Sequence, residues 1–323
     1  MKKIIIVGAG QIGSRHLQAL AGVNNLLDIV VVDPVSNSLA MAKERFESMP
    51  RWQCHKVTYT NAVPSNNSSF DIAIIATNSN KRREALESLL AKATVCYCIL
   101  EKLLFQKKSD YNAVGKFLKK SGTKVWVNCM MRGMPFYYAI KKEIKNKKIF
   151  YYVNRTDTGL ATSTIHYLDH MAFLTDCLDY TIDTSAVDPK SIASKRNGFF
   201  DLTGTVHVKF KNGSTLVFGN YSKDRTPPEV IIYSPDVHYI VREAEQKAWV
   251  SLKKENWTWK EIPAPILFQS SMTTRLVEEL LKKGTCPLVT YADAAKLHLP
   301  ILDAYLAVFN RSSGKKLDYY PFT

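Results

Sequence analysis

The stretch that decides the fold is Ile4-Ile5-Ile6-Val7-Gly8-Ala9-Gly10-Gln11-Ile12-Gly13. Its β-branched first half predicts a buried parallel strand, and residues 15–20 after the glycines have the pattern of a helix. A second apolar run, Ile29-Val30-Val31-Val32, ends in Asp33, 20 residues beyond Gly13. This order of strand, glycine turn, helix, strand and acidic residue indicates a dinucleotide-binding fold.

The spacing of the three glycines has a chemical reason. Gly8 permits a tight turn, Gly10 lets the backbone approach a pyrophosphate, and Gly13 lets the helix pack on the strand. Free N–H groups at the start of the helix, where Gln11 and Ile12 lie, attract the anion. The alternative interpretation is a glycine turn in a doubly wound domain that binds a flavin or an adenosyl group.

The acidic residue after the second apolar run bears on the choice of cofactor. The Asp33 carboxylate can accept hydrogen bonds from the ribose hydroxyls of adenosine, and its charge repels a 2′-phosphate. The sequence therefore favours NAD over NADP. Further candidate cofactor-binding residues follow two other predicted strands, namely Thr77, Asn78 and Glu101.

Composition bounds the class of protein. The 323 residues, 46% hydrophobic and 23% charged, are typical of a soluble chain with two domains. No apolar run approaches the ~20 residues that a membrane span requires. The six cysteines include no C-x-x-C pair, which predicts free thiols in a cytoplasmic protein rather than a zinc site.

The net charge of +15 raises the question of a nucleic-acid partner. The lysines are scattered, with the densest groups at predicted helix ends and turns, and no basic arm or nucleic-acid motif is present. We therefore expect a small-molecule partner and neither nucleic acid nor a membrane. A general attraction for anionic substrates is a functional use that this charge allows.

The pattern of elements changes at about residue 130. Before that point strands alternate with helices, which predicts a parallel sheet covered on both faces. Beyond it most elements are successive strands, with a hairpin signal at Asn212-Gly213. We predict an α/β protein with a Rossmann doubly wound parallel sheet over residues 1–127. Residues 128–323 are predicted to form an α+β domain for substrate binding and oligomerisation, on a large, open-faced, mostly antiparallel sheet.

Five motifs in a fixed order carry a resemblance to a known family. They are G-x-G-x-x-G-x-x-H from Gly8 to His16, Glu101-Lys102-Leu103, Asn128-Cys129-Met130-Met131-Arg132, the segment from Gly159 to Asp169, and Tyr291-Ala292-Asp293-Ala294. Over nearly its whole length the chain resembles the Gfo/Idh/MocA family of glucose–fructose oxidoreductase, inositol dehydrogenase and rhizopine-catabolism oxidoreductases. The resemblance implies an NAD(P)-dependent dehydrogenase or reductase acting on CH–OH groups, assembled as a homodimer or homotetramer.

The resemblance also implies catalytic roles for Lys102 and His166. Oxidation of a secondary alcohol requires removal of the hydroxyl proton as the hydride leaves, and the reverse reaction requires an acid. Lys102 follows a predicted strand, at the end where ligands bind in such sheets. Its position alone indicates a surface lysine paired with Glu101, whereas the family pattern makes it catalytic.

His166, Asp169 and His170 are spaced to share one helical face. A zinc site is the alternative interpretation, but the glutamate of H-E-x-x-H is missing and no third ligand is evident, so we predict no metal. The resemblance makes His166 the proton-transfer partner, and places Asp169 near the substrate or in support of the helix. Arg132 is a second candidate substrate residue because its forked donors suit a carboxylate or phosphate, with an ordinary ion pair as the alternative.

Three departures from the family pattern matter. Leu103 replaces a proline whose restricted backbone helps to orient the lysine. Thr162 stands four residues before His166, where many members have an aspartate. A histidine common in the family is absent from residues 77–83.

The predicted substrate is a sugar, a cyclitol or a nucleotide-linked sugar. One alternative is a catalytically silent relative that senses a dinucleotide and regulates a partner, and another is a reductase of a non-sugar substrate such as a tetrapyrrole. Trp257 and Trp259 alternate at strand spacing, which predicts two indoles on one sheet face covered by a second subunit. A sugar-stacking platform is the other interpretation of this pair.

Overall fold

The computed structural model describes residues 1–64, 67–145, 147–156, 159–221, 226–314 and 316–323. Within these residues the helices are α1 (Gln11–Leu20), α2 (Ser36–Glu47), α3 (Ser79–Lys92), α4 (Lys108–Ser121), α5 (Pro135–Ile144), α6 (Leu160–Thr175), α7 (Gln269–Lys283) and α8 (Tyr291–Ser313). The strands are β1 (Lys2–Val7), β2 (Leu27–Val32), β3 (Lys56–Thr60), β4 (Ser68–Ile75), β5 (Ala93–Leu100), β6 (Lys124–Val127), β7 (Phe150–Arg155), β8 (Tyr180–Asp183), β9 (Ile192–Ala193), β10 (Phe200–Asp201), β11 (Gly204–Phe210), β12 (Thr215–Asn220), β13 (Glu229–Tyr233), β14 (Val237–Arg242), β15 (Lys247–Leu252), β16 (Trp259–Pro263) and β17 (Val289–Thr290).

The chain divides into two compact units, residues 1–130 with 267–291 and residues 131–266 with 292–323. The predicted boundary followed residue 127 and assigned the whole remainder to the second domain. The units differ from that division because α7 and β17 return to the first unit. The Thr274 hydroxyl of α7 donates to the Ala19 carbonyl of α1 at 2.7 Å, and Val289 of β17 pairs with Val127 of β6.

In the described part of the first unit, seven strands form a sheet in the order β17-β6-β5-β4-β1-β2-β3. All neighbouring pairs are parallel except β17 with β6. Ile4 of β1 pairs with Ile29 of β2 on one side and Ile72 of β4 on the other, and all three are fully buried. The strand order reverses at β1, and ligands of such sheets bind beyond the carboxyl ends of the strands at this point.

The second unit has a sheet of eight strands in its described part, in the order β16-β15-β14-β13-β7-β12-β11-β8. All neighbours are antiparallel except β7 with β12. α6 packs on this sheet, where the rings of Tyr167 and Phe218 lie 5.3 Å apart. A parallel sheet followed by a mostly antiparallel one confirms the predicted fold class.

Two sequence predictions concern the local structure of the second sheet. The predicted turn at Asn212-Gly213 joins β11 to β12, and Gly213 has φ +84°. The prediction that Trp257 and Trp259 alternate along one strand is wrong. β16 begins at Trp259, whereas Trp257 precedes it with φ +59° and stacks on His238 at 4.5 Å.

Among the described residues, no helix has the length and the apolar content that crossing a membrane would require.

Candidate functional site

The glycine loop after β1 leaves space at one glycine only. Gly8 has φ +96°, and a Cβ there would lie 2.9 Å from the backbone carbon of Ala76. A Cβ on Gly13 would lie 1.8 Å from the Gly8 carbonyl oxygen. A Cβ on Gly10 would meet nothing within 4 Å. Gly8 and Gly13 are therefore required by the fold, whereas Gly10 borders open space at the carboxyl edge of the sheet.

The start of α1 offers backbone donors beside that space. Gly10 caps α1 without a side-chain hydrogen bond, and its carbonyl oxygen accepts the Ser14 N–H at 2.9 Å. The N–H groups of Gln11, Ile12 and Gly13 belong to the first turn, which has no intrahelical acceptors. This is an arrangement that suits a phosphate.

Asp33 ties the end of β2 to the glycine loop. Its Oδ2 accepts the Ala9 N–H at 2.7 Å and its Oδ1 accepts the Val35 N–H at 2.9 Å. Asp33 is only 9% exposed. Because a carboxylate has about four acceptor positions, Asp33 can hold the loop and still accept further hydrogen bonds. The sequence predicted that Asp33 accepts hydrogen bonds from a ligand. It gave no sign that Asp33 also holds the glycine loop.

Two buried polar atoms at the carboxyl edge of the first sheet have no hydrogen-bond partner among the described residues. They are Oγ1 of Thr77, after β4, and Oδ1 of Asn128, after β6. Asn78 is exposed at the start of α3. Buried polar atoms normally have a partner, so these two atoms are available for a hydrogen bond with a ligand or water.

Glu101, which ends β5, belongs to a buried hydrogen-bond network. His16 Nε2–H donates to Glu101 Oε1 at 2.9 Å, and the Asn128 amide donates to the same oxygen. His16 Nδ1 lies 2.8 Å from Thr273 Oγ1 of α7. Burial raises the pKa of Glu101, but His16, Asn128 and the charge of Arg82 together lower this pKa to about 2. Glu101 is therefore a buried anion that fixes the end of β5.

Lys102 is half-buried and follows this anion directly. The next three residues, 103–105, are buried, and the peptide bond between Lys102 and Leu103 is cis. Arg82 of α3 donates to the Leu104 carbonyl at 2.9 Å and also to the carbonyls of Leu103 and Thr77. Arg82 could not be identified from the sequence, because an arginine in a polar helix gives no sign of burial.

In the second unit, Arg132 and Asp169 bind each other. Arg132 Nε–H donates to Asp169 Oδ2 at 2.8 Å, and a terminal N–H donates to Oδ1 at 2.7 Å. Asp169 is 1% exposed, and burial raises its pKa although the Arg132 charge opposes the change. Both predicted substrate residues are thus engaged in one buried ion pair that joins α6 to the segment before α5.

The two histidines of α6 lie in different environments. His166 is half-buried, whereas His170 is fully buried with Nδ1 2.7 Å from the Tyr151 hydroxyl. Burial, with the Arg132 charge, lowers the pKa of His170 to about 3, so this imidazole stays neutral. Among the described residues, no group of three or more His, Cys, Asp or Glu side chains could hold a metal ion.

The first turn of α6 is held by a buried carboxylate from β10. Asp201 Oδ1 accepts the Ala161 N–H at 2.7 Å, and Oδ2 accepts the Thr162 hydroxyl at 2.7 Å. A Cβ on Gly159 would lie 1.7 Å from the Asp201 carboxyl carbon. A carboxylate therefore lies beside Thr162, although it comes from a distant part of the sequence.

The first unit, with its glycine loop and Asp33, is similar to a known protein family. Residues 2–129 match the GFO_IDH_MocA model, an oxidoreductase family with an NAD-binding Rossmann fold. Residues 2–129 are therefore similar to the NAD-binding domain of the Gfo/Idh/MocA oxidoreductases. This match confirms the resemblance inferred from the motifs over residues 2–129. A search of the curated proteins finds no match to the sequence.

Solved structures extend the likeness of fold to nearly the whole chain. An oxidoreductase from Agrobacterium radiobacter, in complex with NAD+, L-tartaric acid and magnesium, has 16% identity and a TM-score of 0.73 over 98% of each chain. UDP-N-acetylglucosamine 3-dehydrogenase GnnA from Acidithiobacillus ferrooxidans has 12% identity and a TM-score of 0.72 over 97% of this chain and 99% of that chain. A super-repressor mutant of Gal80p from Saccharomyces cerevisiae has 13% identity and a TM-score of 0.71 over 96% and 98%. At such identities the likeness shows the fold alone.

The structure brings some of the predicted site residues together. Asp33 contacts the glycine loop through Ala9, and Thr77 adjoins Gly8. Glu101 and Lys102 lie at the same edge of the first sheet, whereas His166 belongs to the second unit.

Proposed function

We propose that this protein is an NAD(P)-dependent oxidoreductase that transfers a hydride between the nicotinamide and a secondary alcohol or ketone carbon of a carbohydrate. The carbohydrate is a sugar, a cyclitol or a nucleotide-linked sugar. The observation that carries the proposal is the open space at Gly10, at the sheet edge where half-buried Lys102 also lies. The family is one of oxidoreductases, and one similar fold belongs to a UDP-N-acetylglucosamine 3-dehydrogenase.

The residues present fit a dinucleotide. The free N–H groups of Gln11, Ile12 and Gly13 would hold the pyrophosphate above Gly10. Asp33 would accept from the adenosine ribose, which supports NAD over NADP, and the unpartnered Thr77 hydroxyl is an additional polar contact for the cofactor. When bound, the nicotinamide supplies the chemistry of accepting or donating the hydride.

The proton chemistry falls to Lys102 and His166 in this proposal. In the oxidation, the hydroxyl proton leaves the substrate oxygen as its carbon loses the hydride, and the His166 imidazole would accept that proton. The Lys102 ammonium would donate a hydrogen bond to the same oxygen and stabilise its negative charge. Since Asp169 is bound to Arg132, we propose that this pair supports α6 rather than contacting the substrate.

A second candidate function is a silent dinucleotide sensor that regulates a partner protein. The replacement of the family proline by Leu103 and of the family aspartate by Thr162 favours this candidate, and the similar fold of a Gal80p super-repressor mutant adds to it. Retention of Lys102 and His166 favours the enzyme.

We further propose that the protein self-associates through the open face of the second sheet as a homodimer or homotetramer. Phe150 of β7 and Trp259 of β16 are 43% and 46% exposed, and exposed aromatic side chains on a sheet are typical of a surface that a second copy covers. Light scattering should give at least twice the chain mass for the wild type and a smaller mass for Trp259→Lys. A monomeric wild type at micromolar concentration contradicts this proposal.

A screen tests the activity. Sugars, cyclitols, nucleotide sugars and non-sugar ketones are offered with NAD and with NADP, and the absorbance of reduced nicotinamide is followed, with Lys102→Met as the control. Turnover of a carbohydrate that the control lacks supports the proposal. Turnover of a non-sugar ketone alone contradicts the substrate class, and binding of NADH without turnover of any compound supports the sensor.

A further inference from the structure

A buried arginine holds the backbone that follows Lys102. Arg82 lies on α3 and is 2% exposed. One terminal N–H group of its guanidinium donates to the Leu103 and Leu104 carbonyls, and the other donates to the Thr77 carbonyl. The guanidinium thus joins the loop after β5 to the loop after β4.

Burial of this guanidinium argues for a specific task. A buried charge is costly unless it is hydrogen-bonded or compensated, and carbonyl oxygens bonded to a charged donor form the stronger class of hydrogen bond. Glu101 supplies the compensating charge, since Arg82 is one of the groups that lower the Glu101 pKa. An aliphatic side chain would fill a buried position at less cost, but it could not hold carbonyl groups.

Lys102 lies between two fixed neighbours. On one side, the Glu101 N–H donates to the Ile75 carbonyl at 3.1 Å, and the Glu101 carboxylate is bound by His16 and Asn128. On the other side, the Arg82 guanidinium holds the Leu103 and Leu104 carbonyls, and the Phe105 ring packs edge-on against Tyr111 at 5.3 Å. Leu103 occupies the place of the family proline, and an ordinary residue there has a free φ that proline would fix.

We propose that Arg82 is a positioning residue for Lys102. By holding the Leu103 and Leu104 carbonyls, it fixes the backbone conformation that a proline fixes in the family pattern, and thereby directs the Lys102 ammonium to the substrate oxygen. This inference rests on the role of Lys102 in the proposed function. In this proposal Arg82 restrains the backbone that Leu103 leaves free. Replacing Leu103 by proline should therefore make the Arg82 guanidinium unnecessary.

The decisive comparison is Arg82→Met with and without Leu103→Pro. We expect Arg82→Met to lower kcat by about 10- to 100-fold, because a misplacement of about 1 Å costs on this scale. Its Kd for NADH, measured by fluorescence, should change less than about threefold. Adding Leu103→Pro should return kcat to within about threefold of the wild type. Arg83→Met is the matched control, since Arg83 is partly exposed and pairs with Glu87 and Asp110 instead.

Hydrogen exchange gives a second readout that needs no substrate. In Arg82→Met the amides of residues 102–106 should exchange faster, whereas those of β1 and β4 should keep their wild-type rates. Leu103→Pro in the same chain should slow the exchange of the loop again. If Arg82 only stabilises the fold, Arg82→Met would raise amide exchange throughout the first unit. Adding Leu103→Pro would then restore neither the exchange rates nor kcat. That result overturns the proposal.

Failure of the proposed function gives a different result. If Lys102→Met keeps normal turnover, the role of Lys102 is wrong irrespective of Arg82. If Lys102→Met is inactive while folded Arg82→Met turns over normally, the Arg82 proposal alone is wrong. Where Arg82→Met does not fold, Arg82→Lys with and without Leu103→Pro repeats the comparison. Higher turnover with the proline supports the proposal, and equal turnover of the two variants overturns it.

Discussion

The Thr162 hydroxyl donates a 2.7 Å hydrogen bond to Oδ2 of Asp201, a residue that is 3% exposed. Thr162 stands where many family members have an aspartate, so the fold brings a carboxylate from β10 to the position that lacks one. The same carboxylate accepts the Ala161 N–H at 2.7 Å. It therefore caps the helix that carries His166.

Replacing Asp201 should destabilise the protein. Asp201→Ala leaves buried donors of the first turn of α6 unpaired, and we expect the free energy of unfolding to fall by about 1–3 kcal/mol. Denaturant unfolding measures this change. Asp188→Ala is the control, because the exposed Asp188 accepts the Thr203 hydroxyl and lies outside α6. Equal loss in the two variants would contradict the capping role.

Substitution of Gly10 should weaken cofactor binding, whereas substitution of Gly13 should destabilise the fold. Gly10→Val should fold normally, because a Cβ there meets nothing within 4 Å, but it should lower NADH affinity at least about 100-fold by filling the open space. Gly13→Ala should lower the thermal midpoint, because its Cβ would overlap the Gly8 carbonyl oxygen. Fluorescence titration and thermal unfolding separate the two effects. Unchanged NADH affinity in Gly10→Val contradicts the assignment of the loop.

The charge of Asp33 should make the protein bind NADH more tightly than NADPH. Asp33→Asn keeps one acceptor oxygen for the backbone but removes the charge that repels a 2′-phosphate. We expect the ratio of the Kd values for NADPH and NADH to fall about tenfold in this variant. Tighter binding of NADPH than of NADH by the wild type would show that the charge of Asp33 does not set the preference.

The folded protein should lose stability in acid as Glu101 becomes protonated. Its pKa is lowered from the ordinary 4.5 to about 2, so the anion stabilises the folded state at pH values above 4.5, and this stabilisation disappears as the pH falls towards 2. A shift of this size corresponds to about 3 kcal/mol. The difference in free energy of unfolding between the wild type and Glu101→Gln should therefore shrink by about that amount over this pH range. Glu84→Gln, at an exposed site, should show no such trend.

Local sequence patterns were sufficient to predict the elements around the cofactor loop. A run of buried β-branched residues, three glycines and an acid describe contacts between near neighbours, and the structure has β1, α1 and β2 where these patterns predict them. By contrast, β3 was missed because none of its five residues is buried, so it lacks the apolar run that marks an inner strand.

Contacts between distant parts of the sequence could not be predicted in this way. Arg132 and Asp169 were singled out separately as substrate residues, and only the fold shows that each is the partner of the other. Asp201 and Arg82 carry no motif, because what defines their roles is the backbone groups that folding brings to them. A helical pattern predicts a helix but not the unit on which that helix packs. The return of α7 to the first unit therefore could not be predicted from the sequence.

The measurement that tests the central claim most directly is the turnover of Lys102→Met on the carbohydrate that the screen identifies, with NADH affinity measured on the same sample. Loss of the ammonium should lower kcat by at least about 1,000-fold while the Kd for NADH stays within about threefold, because the pyrophosphate is held at the glycine loop. His166→Asn, measured alongside, should cost about 10²–10⁴-fold. Near-normal turnover of both variants would contradict the account, since the proton chemistry would then belong to other residues.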